Sequence, residues 1–263
     1  MRPNRVRELI NQHVTVVNGW VSCDSVYAAE VLSYAGYDAV TIDLQHGMFG
    51  LDQAIHLLQA VSAGPAVPMA RASALNPAEI GKLMDAGAYG VICPSIDTAE
   101  QCEALVSACR YPPNGRRSFG PARGLLYGGS DYMTVADYTV QVWAMVESRT
   151  ALENLDDIAA VPGLDGIYVG PNDLALSLGV QPATTPVAPE VMDALGRIRT
   201  SAHAAGVAVG AYCATARMAR ELAEQGYDLV TPGNDTVLLR DGVAQRVATI
   251  RGKNDGTGTG TGY

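Results

Sequence analysis

The sequence predicts an α/β fold, a single-domain (β/α)8 TIM barrel, on three observations. Short β-branched runs alternate with alanine- and leucine-rich stretches almost from end to end, as strands and helices do when wound around a parallel sheet. Eight such strand-like runs can be counted. The chain has 263 residues, long for an ordinary domain but suited to a barrel class of about 250 residues.

The runs fall near Val16–Val21, Ala39–Asp43, Val67–Arg71, Gly90–Pro94, Val140–Val146, Gly166–Gly170, Val207–Tyr212 and Asp228–Thr231. Helices are expected after most of them, over Pro77–Ala86, Thr98–Cys109, Arg149–Ala160, Glu190–Ala205 and Thr215–Gln225. The Pro77 helix is bounded at both ends. Asn76 supplies an N-cap, Pro77 the first helical position, and Gly87 closes the run "KLMDA". "AVPGLDG" and "AEQGYD" repeat that grammar, a helix stopped at Pro or Gly before a short apolar strand. An open doubly wound sheet is the alternative, but eight units close more naturally into a barrel. Residues 111–138, rich in Gly, Pro and Arg, read as a functional loop. The barrel is assigned to residues 1–250, and the tail 251–263, with its "GTGTGTG" repeat, to low-complexity disorder.

Composition excludes several function classes. Hydrophobic residues make up 48% and charged residues 17%, the balance of a globular enzyme rather than of a disordered chain. A net charge of -9 leaves no basic stripe for nucleic acid or an anionic membrane surface, so small molecules are the expected partners. The start "MRPNRVRELINQHV" lacks a signal-like apolar core, and no run of about 18 apolar residues occurs, which reads as cytoplasmic. Cys23, Cys93, Cys102, Cys109 and Cys213 are odd in number, widely spaced and without a CxxC pair, so reduced thiols are expected. Cys102 and Cys109, seven apart on one helix, suggest shared core packing.

In such a barrel the catalytic groups stand at the carboxyl ends of the strands. Strand two ends in Asp43 and leads to His46, strand three ends in Arg71, strand five runs into Glu147, and strand six runs through "GPND" into Asp173. Each has a plainer reading: Asp173 as a helix N-cap, Glu147 as a cap or partner of Arg149, Arg71 as a structural ion-pair partner, His46 as a loop histidine. Taken singly, Asp173 and His46 favour the plainer reading and Arg71 is even. Glu147 resists it, because a carboxylate after six mostly apolar strand residues needs a cation or hydrogen bonds. Together, from four strands on one barrel face, they are hard to attribute to capping.

His13, His56 and His203 form no HExxH-like pattern, so two carboxylates would suit a hard ion, Mg2+ or Mn2+. The two lysines, Lys82 and Lys253, lie on no strand, which leaves Schiff-base chemistry without a candidate. No nucleotide-binding loop and no GxSxG elbow appears.

The stretches "AAEVLSYAGYDAVTIDLQHG", "RASALNPAEIGKLMDAGAYGVICPSIDTAEQ", "CRYPPNGRRSFGPARG" and "VWAMVESRTALENLDDIAAVPGLDGIYVGPNDLALSLG" resemble the HpcH/HpaI family of class II, metal-dependent 2-oxo-acid aldolases over roughly residues 5–250. The resemblance implies that Glu147 and Asp173 bind a divalent metal, Mg2+ or Mn2+ with Co2+ also possible. It implies that His46 acts as acid/base oriented by Asp43, and that Arg71 stabilises an enolate oxygen. Backbone amides of Asn172 and Asp173 would hold the substrate carboxylate, and Arg123 would reach the aldehyde, across a subunit interface in related oligomers. The implied reaction is reversible cleavage of a 4-hydroxy-2-oxo acid to pyruvate, or hydroxypyruvate, and an aldehyde, in a homo-oligomer, a hexamer by resemblance. An oxaloacetate-type decarboxylase or a citrate-lyase-like acyl-CoA lyase at the same metal site is the alternative. Two positions depart from the family pattern: Met145 stands where a glutamine is frequent, and Gln45 where an acid is common.

Overall fold

A computed structural model describes residues 1–182 and 187–252; the expected tail lies outside the described residues from 253 on. In chain order the elements are α1 (Arg5–Asn11), β1 (Val16–Val21), α2 (Val26–Tyr34), β2 (Ala39–Asp43), α3 (Leu51–Ala63), β3 (Val67–Arg71), α4 (Pro77–Asp85) and β4 (Gly90–Cys93). There follow α5 (Ala99–Cys109), α6 (Ala122–Gly128), α7 (Tyr132–Thr139), β5 (Gln141–Val146), α8 (Arg149–Glu153), α9 (Leu155–Ala159) and β6 (Gly166–Val169). The last are α10 (Pro171–Leu178), α11 (Pro189–Ala204), β7 (Ala208–Cys213), α12 (Ala216–Glu224), β8 (Leu229–Pro232) and α13 (Asp235–Ile250). Each strand pairs in parallel with the next, and β8 returns to β1, so the sheet is a closed eight-stranded barrel. The doubly wound alternative is excluded. Three strands match the sequence reading at both ends, three differ by one residue at one end, and β7 and β8 are each displaced by one residue at both.

The two-residue period of a strand explains where side chains go. Along β2, Val40 and Ile42 join the shell beneath the helices, whereas Ala39, Thr41 and Asp43 point into the barrel. The interior is packed by Met69, Trp143, Tyr168 and Leu229, with Val6 of α1 sealing the amino-terminal end. Among these lies a polar layer in which Tyr168 donates to Thr231 (2.8 Å), and Asn18 bonds both Thr231 and Thr41. Barrel interiors carry such layers as packed core, so the open space is left to the ends.

Helix boundaries follow local chemistry. Asn76 accepts from the Ala78 and Glu79 amides with Pro77 at the first position, and Gly87 leaves the helix at φ +100° as only glycine does readily. Thr98 and Gln101 form the reciprocal capping box of α5. Two expectations are corrected. The helix over Arg149–Ala160 breaks at Asn154 into α8 and α9, because the Asn154 side chain bonds the Asp97 carbonyl. The connection 111–138 is no open loop, for it folds into α6 and α7. Buried arginines at its start anchor it: Arg110 pairs with Asp165 (2.6 Å) and Arg117 with Asp85 (2.8 Å). The thiols are free, and Cys93, Cys102, Cys109 and Cys213 are buried.

Candidate active site at the carboxyl ends of the strands

The last inward position of several strands opens on one cavity of about 410 Å³. Asp43 and Arg71 are register partners on β2 and β3, so the sheet itself sets their side chains against each other. Arg71 donates through Nε to Asp43 Oδ1 (2.8 Å) and through Nη2 to Oδ2 (2.7 Å), the two-pronged geometry only a guanidinium provides. Both are buried, with Asp43 1% exposed. Burial by itself pushes the Asp43 carboxyl up. The hydrogen bonds and charge of Arg71, helped by the Trp20 N–H and the His46 amide, outweigh it and hold Asp43 below the ordinary carboxylate range. Arg71 is thus an ion-pair partner and a wall of the cavity at once.

Asp43 also accepts from the main-chain amides of Gln45 (3.0 Å) and His46 (3.3 Å). It therefore fixes the backbone that carries His46, while its oxygens face Arg71 and Trp20 rather than the imidazole. The His46 ring lines the cavity without a hydrogen bond to any described residue, open to a ligand.

Glu147 follows β5 and is 7% exposed. Its Oε1 accepts from the Ser95 amide (3.0 Å), and Ser95 sits at φ +56°, a conformation costly for a non-glycine residue. Its Oε2 is buried and has no partner. Burial pushes the carboxyl up to about 7; the Asp173 charge adds to the rise, and the Ser95 bond and Arg71 charge oppose it. Arg149 bonds Ser177 and Leu178 and offers Glu147 nothing. A Cβ at Gly170 would collide with Glu147 Oε2 and with Met145, so glycine keeps this niche open. An unpaired buried carboxylate oxygen beside a second carboxylate fits a divalent cation. The described residues contain no cluster of three or more His, Cys, Asp or Glu, so Glu147 and Asp173 are the carboxylates that would hold such an ion.

The plainer reading of Asp173 as an N-cap does not hold, because it is the third residue of α10, whose cap is Gly170. Asn172 and Asp173 occupy its first turn, where helix N–H groups have no intrahelical partner, and both line the cavity. Arg123, expected to reach the aldehyde across a subunit interface, lies away from the mouth of its own subunit. Its Nη1 bonds the Ala86 carbonyl (2.6 Å), in the turn that enters β4 at the opposite end of the barrel. No residue of 111–138 lines the cavity.

Sequence reasoning missed Trp20, Tyr168 and Tyr212, three inward aromatics of the mouth. For Trp20 a signal existed, since a buried indole N–H at an inward strand position usually has an acceptor. It also missed Ser95, whose role depends on a positive φ that a serine does not announce.

A closed parallel barrel with ionisable groups gathered at the carboxyl ends of its strands is the architecture of the barrel enzymes. Residues 17–242 match the family described as HpcH/HpaI aldolase/citrate lyase, and the chain belongs to that family. A hydroxypyruvate/pyruvate aldolase of Rhizorhabdus wittichii is 41% identical, with 94% of this chain and 99% of the relative covered. A 2-keto-3-deoxy-L-rhamnonate aldolase of Escherichia coli is 35% identical, with 95% of each covered. Among solved structures, an HpcH/HpaI aldolase/citrate lyase family protein from Burkholderia cenocepacia superposes with a TM-score of 0.88 at 32% identity, covering 94% of this chain and 99% of that one.

Proposed function

We propose that this chain is a class II aldolase that reversibly cleaves 4-hydroxy-2-oxo acids to pyruvate, or hydroxypyruvate, and an aldehyde. The observation that carries the reading is the convergence at one mouth of a fixed arginine, an unpaired buried carboxylate oxygen on Glu147, and Asp173. The aldolase names of relatives 35–41% identical over most of the chain support it.

The residues divide the work by their chemistry. Arg71, locked by Asp43, donates to the keto oxygen and stabilises the negative charge that the enolate places there. The Asn172 and Asp173 amides bind the carboxylate at the α10 N-terminus. His46 takes the proton of the 4-hydroxyl in cleavage and returns it in synthesis. Glu147 and Asp173 hold a divalent cation, Mg2+, Mn2+ or Co2+, which when bound supplies Lewis-acid stabilisation of developing oxyanion charge. The buried thiols suit a cytoplasmic enzyme. We also assign a homo-oligomer: only Asp235 of α13 is buried, and Leu238, Leu239, Val243 and Ile250 are exposed along it, a stripe that a second copy would cover. Sedimentation velocity is expected to show no monomer at micromolar concentration, and a monomer would remove this assignment.

The test of the function is pyruvate release from a panel of 4-hydroxy-2-oxo acids and oxaloacetate, with EDTA-treated protein and with each ion restored. Metal-restored cleavage of a hydroxy-oxo acid is expected. Release from oxaloacetate alone would make the protein a decarboxylase, and release from neither would return the acyl-CoA lyase reading. In the same assay His46→Ala should lose about 10²–10⁴-fold in turnover while calorimetric cation affinity is unchanged. Loss of cation binding instead would make His46 a ligand.

A further inference from the structure

Two tryptophans stand in this chain, and they are built differently. Trp143 is buried inside the barrel with its Nε1 unpartnered, as a side chain that fills space. Trp20, the last inward residue of β1, is 3% exposed and has every face engaged. One face stacks on Tyr168 (centroids 5.6 Å apart, planes at 20°), and it meets Tyr212 in a T-shaped contact (6.1 Å, 76°). The Arg71 guanidinium carbon lies 4.9 Å from its ring centroid, and its Nε1 donates to Asp43 Oδ2 (3.1 Å). Tyr168, beneath, is itself tied to Thr231 through its hydroxyl.

The ion pair with Asp43 uses Nε and Nη2 of Arg71, which fixes the guanidinium edge but leaves its tilt about that edge to the surroundings. An aromatic face attracts the flat of a guanidinium and so sets the tilt. The indole N–H meanwhile fixes the carboxylate that the arginine grips. Trp20, Asp43 and Arg71 thus form a closed triangle in which each member holds the other two. The free corner is Arg71 Nη1, which donates only to the Met145 sulfur at 3.9 Å, a weak acceptor. That donor is left for a ligand in the cavity.

We infer that Trp20 is a positioning residue: through its ring face and its N–H it aims Arg71 Nη1 into the cavity. The inference rests on the reading of Arg71 as the donor to a 2-oxo acid, so its test carries one readout that needs no ligand. In Trp143→Phe protein the one remaining indole N–H gives a single indole resonance downfield of the backbone amides. It should exchange slowly with water and move when Asp43→Asn or Arg71→Lys is added; a fast-exchanging, unmoved signal overturns the triangle. The second readout is calorimetric binding of oxalate, a planar dianion with an enolate-like charge pattern, in the presence of Mn2+. Trp20→Phe keeps the face and loses the N–H, and should weaken binding about tenfold; Trp20→Leu loses both, about a hundredfold. Trp143→Phe should leave the affinity within about twofold. In an Arg71→Lys background the Trp20→Leu effect should vanish, because the two act as one unit. Fully additive losses overturn the positioning role. A protected indole N–H in a protein that binds no oxalate would sink the aldolase reading while the triangle stands.

Discussion

Glu147→Gln is expected to abolish cation-dependent turnover, by about 10³-fold or more, and at the same time to give a metal-free protein that melts at a higher temperature. Both effects come from one atom. Glu147 Oε2 is buried without a partner, and the carboxyl is pushed from an ordinary 4.5 to about 7 by burial and by the Asp173 charge. The folded state therefore holds a proton that the unfolded chain has released between those two values. Unfolding free energy falls as pH rises through that window, so the penalty is absent below about pH 4.5 and complete above about pH 7. Gln has no charge to bury, and above pH 7 the variant should gain on the order of 1–3 kcal/mol. For a chain of this size that is about 2–10 °C in melting temperature. The gain should shrink towards pH 5, which scanning calorimetry in EDTA reads directly. Adding Mn2+ should raise the melting temperature of the wild type and not of the variant. Wild-type turnover in Glu147→Gln would refute the metal assignment, and an unchanged melting curve at pH 8 would refute the buried charge.

How much of this was legible beforehand depends on the range of the interaction. Strand positions were legible because burial on both faces of a parallel barrel selects apolar β-branched runs, and Gly or Pro punctuates them. The α4 boundaries were legible because Asn76, Pro77 and Gly87 act within one turn. The split at Asn154 was not, since its cause is a bond to the Asp97 carbonyl, 57 positions away. Residues 111–138 looked loop-like for their Gly and Pro, yet the ion pairs of Arg110 and Arg117 tie their approach to distant acids. At the mouth, Asp43, His46, Arg71, Glu147 and Asp173 could be placed on one face by topology alone, because the fold puts every strand's carboxyl end there. What topology could not give was their pairing. Asp43 grips Arg71 and the His46 backbone, not the imidazole, and that follows from a register in which Asp43 and Arg71 are opposed. Arg123 was placed by resemblance at a mouth reached across a subunit interface, and within its own subunit it packs on the Ala86 carbonyl at the other end.

Arg71→Ala should lose on the order of 3–5 kcal/mol of stability and about 10²–10³-fold in turnover, and the two losses separate in a double variant. The stability loss has its origin in Asp43, 1% exposed and left with only the Trp20 and main-chain donors. In the wild type that carboxyl is held below its ordinary value, so it contributes stability above about pH 4 that disappears as pH falls through its folded value. Without Arg71, burial is opposed only by the Trp20 N–H and the main-chain amides, so the carboxyl becomes harder to ionise and the stability it contributes above about pH 4 shrinks. Adding Asp43→Asn removes the stranded charge and should restore most of the melting temperature. It should not restore turnover, since no donor then faces the keto oxygen. Arg71→Lys should fall between, because an ammonium cannot grip both carboxylate oxygens and still present a directed N–H to the cavity. If Arg71→Ala instead keeps turnover within tenfold while losing stability, the arginine is a structural partner of Asp43 and nothing more. The even choice that the sequence left at this position would then resolve to its plainer side, and the oxyanion charge would have to be met by the cation alone.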